Sequence, residues 1–322
     1  MTAQQLLSRW REALYPARTA GADTPAQTPR FEFRLPLVFS YDPAEPARVA
    51  IGGEEDIRLK GELQRTMILV HGLTGTPNEM RYLAFYFNKL GYNVICPRLA
   101  NHGQPLGILK RTTWEELYDS LRAVFVEALK TGDKVYVAGL SMSALFVLLL
   151  AEEFGDQLAG GICLAPTLFF DGWNVPWYHR LLPLASYTPL KYSFYYKESP
   201  PYGLKNERVR QMAHRFFSQA RLDDINGISK FGYAFFPVSL FHQLQRLARR
   251  VIPMLGRIRA PMLLIHPEED DVASVKNSRM IHDRISSPIK KLVILTDSYH
   301  VVTADQEREK VAFEMKEFLD AV

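Results

Sequence analysis

From residue 66 onward the chain alternates short runs that are apolar throughout with longer segments of helical spacing. The runs TMILVH (66–71), YNVICPR (92–98), KVYVAG (134–139) and GGICLAP (160–166) have strand length. Between them, PNEMRYLAFYFNKLG (77–91), TTWEELYDSLRAVFVEALKTG (112–132) and ALFVLLLAEEFG (144–155) repeat their apolar residues as a helix does. Thr113 and Glu116 make a capping-box pair at the start of the second helix, and Gly132 supplies its stop. The rhythm resumes near the C-terminus with APMLLIHP (260–267), SVKNSRMIHDRI (274–285), KKLVILTD (290–297) and DQEREKVAFEMKEFLDA (305–321). Strands apolar on both faces, alternating with helices, predict an α/β fold with a mostly parallel sheet and helices on both sides.

Two regions depart from this rhythm. Residues 3–15 predict a short amphipathic helix with Leu6, Trp10, Ala13 and Leu14 on one face. PARTAGADTPAQTPR (16–30) reads as a linker, and FEFRLPLVF (31–39) as a strand that Pro36 confines to an edge. Between the strand ending near Ala165 and the one starting near Pro261 lie about 95 residues, whereas a strand–helix–strand crossover takes about 30. Roughly 60 residues are therefore inserted above the sheet as a cap. The expected organisation is an N-terminal helix and linker arm (1–30), a core (31–165 and 256–322) and a cap insertion (166–255). The cap is loaded with aromatics, Leu and Pro, which either bury it on the sheet or line a slot for an acyl chain.

Composition narrows the classes. A net charge of +4 with basic and acidic residues interleaved argues against a nucleic-acid partner and leaves a small-molecule substrate. Cys96 and Cys163 each end an apolar run and read as two reduced core thiols. The first fifteen residues lack a continuous apolar stretch, and the longest apolar run, SALFVLLLA, is too short to span a bilayer. These features predict a cytoplasmic protein. The helix at 3–15 and the Leu/Arg-rich stretch at 240–258 are amphipathic, which suits packing on the protein or peripheral contact with a membrane surface.

The chemistry concentrates in four loops at strand ends. Ser141 in GLSMSA lies two residues after the strand KVYVAG and just before a helix, the place where a tight turn exposes a nucleophile beside helical amides. A serine needs a base. Of eight histidines, His300 alone follows the last strand, in SYHVVTADQ ahead of the final helix, at the same sheet edge as Ser141. His179, His214, His242 and His282 fall in helical or cap segments, and His266 at a strand end. An orienting carboxylate must come from Glu268, Glu269, Asp270 or Asp271, which follow the preceding strand. HGLTGTP (71–77) supplies a glycine-rich strand-to-helix turn, so the amides of Leu73 and Met142 can converge as oxyanion donors. The histidine spacing shows no zinc pattern.

Four segments carry a resemblance: ILVHGLTGTPNEMRYLAFYFNKLGYNVICPRLANHG, VYVAGLSMSA, LLIHPEEDDVASVKNS and YHVVTADQEREKVAFEMKEFL. Together they resemble the α/β-hydrolase superfamily, and more narrowly its bacterial carboxylesterase and monoacylglycerol-lipase group, over residues 66–165 and 260–321. The resemblance implies an α/β-hydrolase fold with an inserted, largely helical cap. It implies a serine hydrolase that cleaves carboxylic esters of acyl or lipid substrates through an acyl-enzyme, with no metal or organic cofactor. It assigns Ser141 as nucleophile, His300 as base, and Leu73 and Met142 as oxyanion amides. In that group the acid lies three residues after the small residue ending the strand, which selects Asp270, with Asp271 the near alternative. The departures are Ser143 in place of the elbow's last glycine, Pro267 before the acid loop, and a larger cap. An acyltransferase would use the same triad with an alcohol in place of water. A non-catalytic binding module would be expected to lack a triad member, and a dehalogenase would need aspartate at position 141.

Overall fold

Seven strands form the main sheet of the computed structural model, which describes residues 56–175, 186–220, 228–229 and 231–322. The expected helix at 3–15, linker at 16–30 and strand at 31–39 lie outside the described residues, as does His179. In chain order the first half holds β1 (Ile57–Leu59), β2 (Arg65–Val70), α1 (Arg81–Lys89), β3 (Asn93–Cys96), α2 (Leu106–Leu109) and α3 (Trp114–Leu129). Then come β4 (Lys134–Leu140), α4 (Met142–Phe154) and β5 (Gly160–Leu164). The cap contributes β6 (Tyr195–Lys197), α5 (Glu207–Phe217), β7 (Ile228–Ser229), β8 (Gly232–Tyr233), β9 (Phe235–Pro237) and α6 (Val238–Val251). The chain rejoins the sheet with β10 (Met262–Pro267), α7 (Lys276–Arg284), β11 (Lys290–Leu295) and α8 (Arg308–Asp320).

The strand order is β1-β3-β2-β4-β5-β10-β11, and every neighbouring pair is parallel except β1 with β3. β1 has no counterpart in the expected elements. Its sequence, IRL, is three residues long with a charge at the centre, so no apolar run announces it. Strand residues point alternately to the two faces. In β2, Ile68 and Val70 join one core while Met67 and Leu69 join the other. β4 divides in the same way, with Val135 and Val137 against Tyr136, Ala138 and Leu140. The first core holds α3, α4 and α6, and the second holds α1 and α8. This two-sided burial explains why the strands read as unbroken apolar runs.

α4 is buried from Met142 through Ala151, as its nearly uniform apolar sequence requires. α3 opens on the expected capping box: the Thr113 side chain accepts from the Glu116 amide, and the Glu116 carboxylate accepts from the Thr113 amide. α6 buries Val238, Leu240, Phe241, Leu244, Leu247, Ala248 and Val251. On its polar side, Arg246 pairs with Glu115 at 2.6 Å and Arg250 with Glu152 at 3.5 Å. The apolar face of the helical part of the stretch at 240–258 therefore packs on the protein. Cys96 and Cys163 are free and buried, and burial pushes both thiols up, so neither is poised to ionise. No helix among the described residues is long and apolar enough to cross a membrane.

Candidate active site

The turn between β4 and α4 holds Ser141 at φ 59° and ψ −115°, a conformation that L-residues enter at a cost of about 1–3 kcal/mol. Several contacts enforce it. The Ser141 amide donates to the Leu164 carbonyl at 2.8 Å, and the Ala144 amide donates to the Ser141 carbonyl at 3.2 Å. Gly139 lets the strand pass the first helical turn, since a Cβ there would lie 2.3 Å from the Ser143 carbonyl oxygen. Ser143, the residue that departs from the usual elbow glycine, is fully buried, and its hydroxyl donates to the His71 carbonyl. The departure thus ties the elbow to the glycine-rich turn that follows β2. Gly139→Ala is expected to destabilise the protein by about 1–3 kcal/mol, because backbone must move to admit the methyl. A lowered urea midpoint at an unchanged slope is the reading that would bear this out.

The loop after β11 brings His300 to this turn. Ser141 Oγ donates to His300 Nε2 at 2.9 Å. His300 Nδ1–H donates to Asp270 Oδ2 at 2.8 Å, with Oδ1 at 3.0 Å. Asp270 Oδ1 in turn accepts from the amides of Val272 and Ala273, both at 2.8 Å. Burial works to raise the Asp270 carboxyl, but His300, His266 and the Ala273 amide together outweigh burial and hold it below the usual range. Burial likewise works to lower His300, and Asp270, Asp271 and Glu79 together outweigh that and raise it. The arrangement keeps a carboxylate against an imidazole whose Nε2 lone pair faces a hydroxyl, as proton transfer from a serine requires. Thr167 Oγ1 also lies 3.2 Å from Ser141 Oγ, in a fully buried position.

The four acids after β10 separate by burial. Glu268 and Glu269 are exposed, and Glu269 pairs with Lys205 at 2.7 Å. Asp270 is the one that meets His300 Nδ1. Asp271 is buried as well, but its oxygens accept main-chain amides, from His300 at 3.3 Å and Gly203 at 3.1 Å. His266 sits behind Asp270, with Nε2 3.4 Å from Asp270 Oδ2 and 2.8 Å from the Ala273 carbonyl.

Leu73 and Met142 both border the cavity at Ser141, and among the described residues neither amide donates to a protein acceptor. Two histidines that the sequence reading passed over brace the loop that offers the first of these amides, and His71 aims it. His71 Nδ1–H donates to the Gly72 carbonyl at 2.8 Å, while its Nε2 accepts the Leu99 amide at 3.3 Å. That carbonyl belongs to the same peptide unit as the Leu73 N–H, so fixing one sets the other in the opposite direction. His102 Nε2 holds the Leu73 carbonyl at 2.7 Å, and Glu79 Oε2 accepts the Gly72 amide at 2.9 Å. Burial holds both imidazoles below their ordinary value, His71 well below, so both are neutral.

A cavity of about 380 Å³ opens at Ser141. Its lining includes the apolar groups Phe170, Leu204, Phe217, Phe236 and Phe241, all from the cap. The polar groups Asn78, Glu79, Glu198 and Arg308 line it as well. Glu79 and Glu198 sit deep in the protein yet stay accessible through the cavity, and burial pushes each up to about 7. Neither was legible in the sequence. Glu79 reads as a helix-start residue, and Glu198 falls in the cap, where no motif singles it out. Among the described residues no cluster of His, Cys, Asp and Glu is arranged to hold a metal ion.

Comparison with known proteins places this geometry. The family model described as serine aminopeptidase, S33 matches residues 61–307. The chain is 30% identical to the thermostable monoacylglycerol lipase of Bacillus sp. (strain H-257) over 252 residues, 78% of this chain and 89% of that one. It is 22% identical to a carboxylesterase of Bacillus subtilis (strain 168) over 257 residues, 80% of this chain and 92% of that one. A structure of the metagenome-derived lipolytic enzymes LipS and LipT superposes with a TM-score of 0.68 at 24% identity, covering 84% of this chain and 99% of the other. The chain belongs to the serine aminopeptidase S33 family and has the α/β-hydrolase fold.

Proposed function

We propose that the protein hydrolyses carboxylic esters joining an acyl chain to a small polar alcohol, through an acyl-enzyme on Ser141. The observation that carries this reading is the hydrogen-bonded line Ser141–His300–Asp270 beside a cavity lined by both apolar and polar groups. The sequence similarity to a monoacylglycerol lipase and a carboxylesterase supports it. In the first step Ser141 Oγ attacks the ester carbonyl carbon and its proton passes to His300 Nε2. The carbonyl oxygen becomes an oxyanion, which the amides of Leu73 and Met142 stabilise. The tetrahedral species collapses, the carbon–oxygen bond to the alcohol breaks, and His300 returns the proton to the leaving oxygen. Water then repeats the cycle on the acyl-enzyme, giving the free acid and restoring Ser141. Asp270 holds the imidazole tautomer and stabilises the imidazolium in both steps. In this reading the apolar lining takes the acyl chain, and Glu79 and Glu198 face the alcohol. A reducing cytoplasm is part of the same proposal, supported by the two free buried thiols.

A p-nitrophenyl ester series from acetate to decanoate tests this reading. Each methylene buried against the apolar lining is worth at most about 0.8 kcal/mol, so kcat/KM should climb by up to roughly fourfold per carbon before it levels off. A flat profile would speak against an acyl slot. Product analysis with a monoacylglycerol and added alcohol should give mainly free acid. A dominant new ester would assign acyl transfer, and faster cleavage of an aminoacyl anilide than of any ester would assign peptidase chemistry.

A further inference from the structure

Two segments of the cap grip the loop that carries the candidate triad acid. On one side the amides of Gly172, Trp173 and Asn174 donate to the carbonyls of Val272, Asp270 and Asp271 at 3.0, 3.3 and 3.1 Å. On the other, the strap around Gly203 lies against the histidine loop. The Val301 amide donates to the Gly203 carbonyl at 2.8 Å, and the Gly203 amide donates to Asp271 Oδ2 at 3.1 Å. Asp271 Oδ1 accepts the His300 amide at 3.3 Å. Beside this clamp, Asp305 accepts the amides of Lys205 at 2.9 Å and of Asn206 and Tyr299 at 2.6 Å each.

We propose that Asp271 is the positioning residue of the catalytic base: its carboxylate joins the His300 main chain to the cap at Gly203, so the imidazole is held against Ser141 only while the cap is seated. The proposal deepens the reading above and rests on Ser141, His300 and Asp270 performing the chemistry.

The choice of residue supports a role beyond packing. Asp271 is 3% exposed, and among the described residues no lysine or arginine pairs with it. A buried carboxylate without a cation is costly, and Asp270 next to it adds like-charge repulsion. Burial first and then Asp270 push the Asp271 carboxyl up to about 6, above the ordinary value of 3.8. A group raised in this way binds its proton more tightly in the folded chain, so it lowers stability above that pH. The Gly203 amide meets Oδ2 and the His300 amide meets Oδ1, so an asparagine in the same pose would set its NH₂ against one of the two donors. The charge acts on the base as well. The groups facing Asp271 are Asp270, His300, Glu198 and Tyr299, and among them its negative charge favours the imidazolium.

Gly203 allows the same clamp to be broken from the cap side. It has φ +70°, and a Cβ there would lie 2.7 Å from Val301 Cγ2 and 3.3 Å from His300 Cβ. Gly203→Ala therefore pushes the strap off the histidine loop while leaving the Asp271 charge in place.

The test measures kcat on butyrate and decanoate p-nitrophenyl esters, the pH profile and the thermal midpoint at pH 8, for Asp271→Asn and Gly203→Ala. A base displaced by about 1 Å loses up to about a hundredfold in rate. Asp271→Asn should lower kcat on butyrate about tenfold, move the acid limb to lower pH, and melt no lower than wild type. Gly203→Ala should lower kcat with the acid limb unmoved. Both losses should be smaller on decanoate, whose chain fills the cavity and seats the cap. The proposal is overturned if Asp271→Asn stays within twofold of wild type. It is also overturned if that variant loses rate equally on both esters with an unmoved limb and a lower melting point, or if Gly203→Ala keeps full activity. Full activity in Ser141→Ala or Asp270→Asn would instead remove the underlying reading, whatever position 271 does.

Discussion

Ser141→Ala is expected to reduce kcat on p-nitrophenyl butyrate by about a millionfold while the protein keeps its fold. The hydroxyl is the nucleophile of the proposed reaction, with a base 2.9 Å away. Thr167 is the nearest hydroxyl, but it is fully buried and can donate to the Ala165 carbonyl at 3.3 Å rather than to an imidazole. Loss of the Ser141 hydroxyl should leave the thermal midpoint unchanged or slightly higher, since it strands no buried donor. Alanine is tolerated at positive φ in this chain, as Ala165 at φ 44° shows. Activity within a hundredfold of wild type would show that another group attacks the substrate.

Asp270→Asn is expected to cost about 10⁴ in kcat, against roughly tenfold for Asp271→Asn. The reason lies in the hydrogens. Asp270 Oδ1 is already occupied by two amides at 2.8 Å, so an asparagine must turn its oxygen to them. Its NH₂ then faces His300 Nδ1, which has to accept, and the ring proton moves to Nε2. Nε2–H can no longer take a proton from Ser141. The same substitution removes the charge that raises the imidazole, so any residual activity should show its acid limb at lower pH than wild type. At Asp271 the imidazole keeps its tautomer, and only its placement suffers. The reverse ranking of the two variants would move the orienting acid by one residue.

The sheet was readable because its strands are covered on both faces. β2, β4, β5 and β10 stand in the sequence as apolar runs bounded by glycine, proline or charge. β1 escaped for the opposite reason, being a short edge strand with little to bury. In the cap, the weight of aromatic residues announced an apolar wall. The pairing of β6 with β9, and of β7 with β8, rests on tertiary contacts that no local pattern records. Ser141 and His300 stand out because each lies at a strand end beside a turn signal. The four consecutive acids could not be ranked locally, because burial separates them and burial is set by the cap. Glu79, Glu198 and Asp271 matter only through what faces them: the glycine-rich turn after β2, a cavity and a histidine main chain. The Ser143 departure marks a hydrogen bond to the His71 carbonyl, where a glycine would have left only space.

The most direct measurement is active-site labelling with a fluorophosphonate, followed by peptide mass spectrometry. The account predicts one phosphonyl group per chain, carried by the peptide that contains Ser141, with hydrolysis lost in proportion to labelling. Labelling should slow sharply in His300→Ala, because the base that activates the hydroxyl is gone. A label found on any other residue, or full hydrolysis by chains already labelled at Ser141, would contradict it.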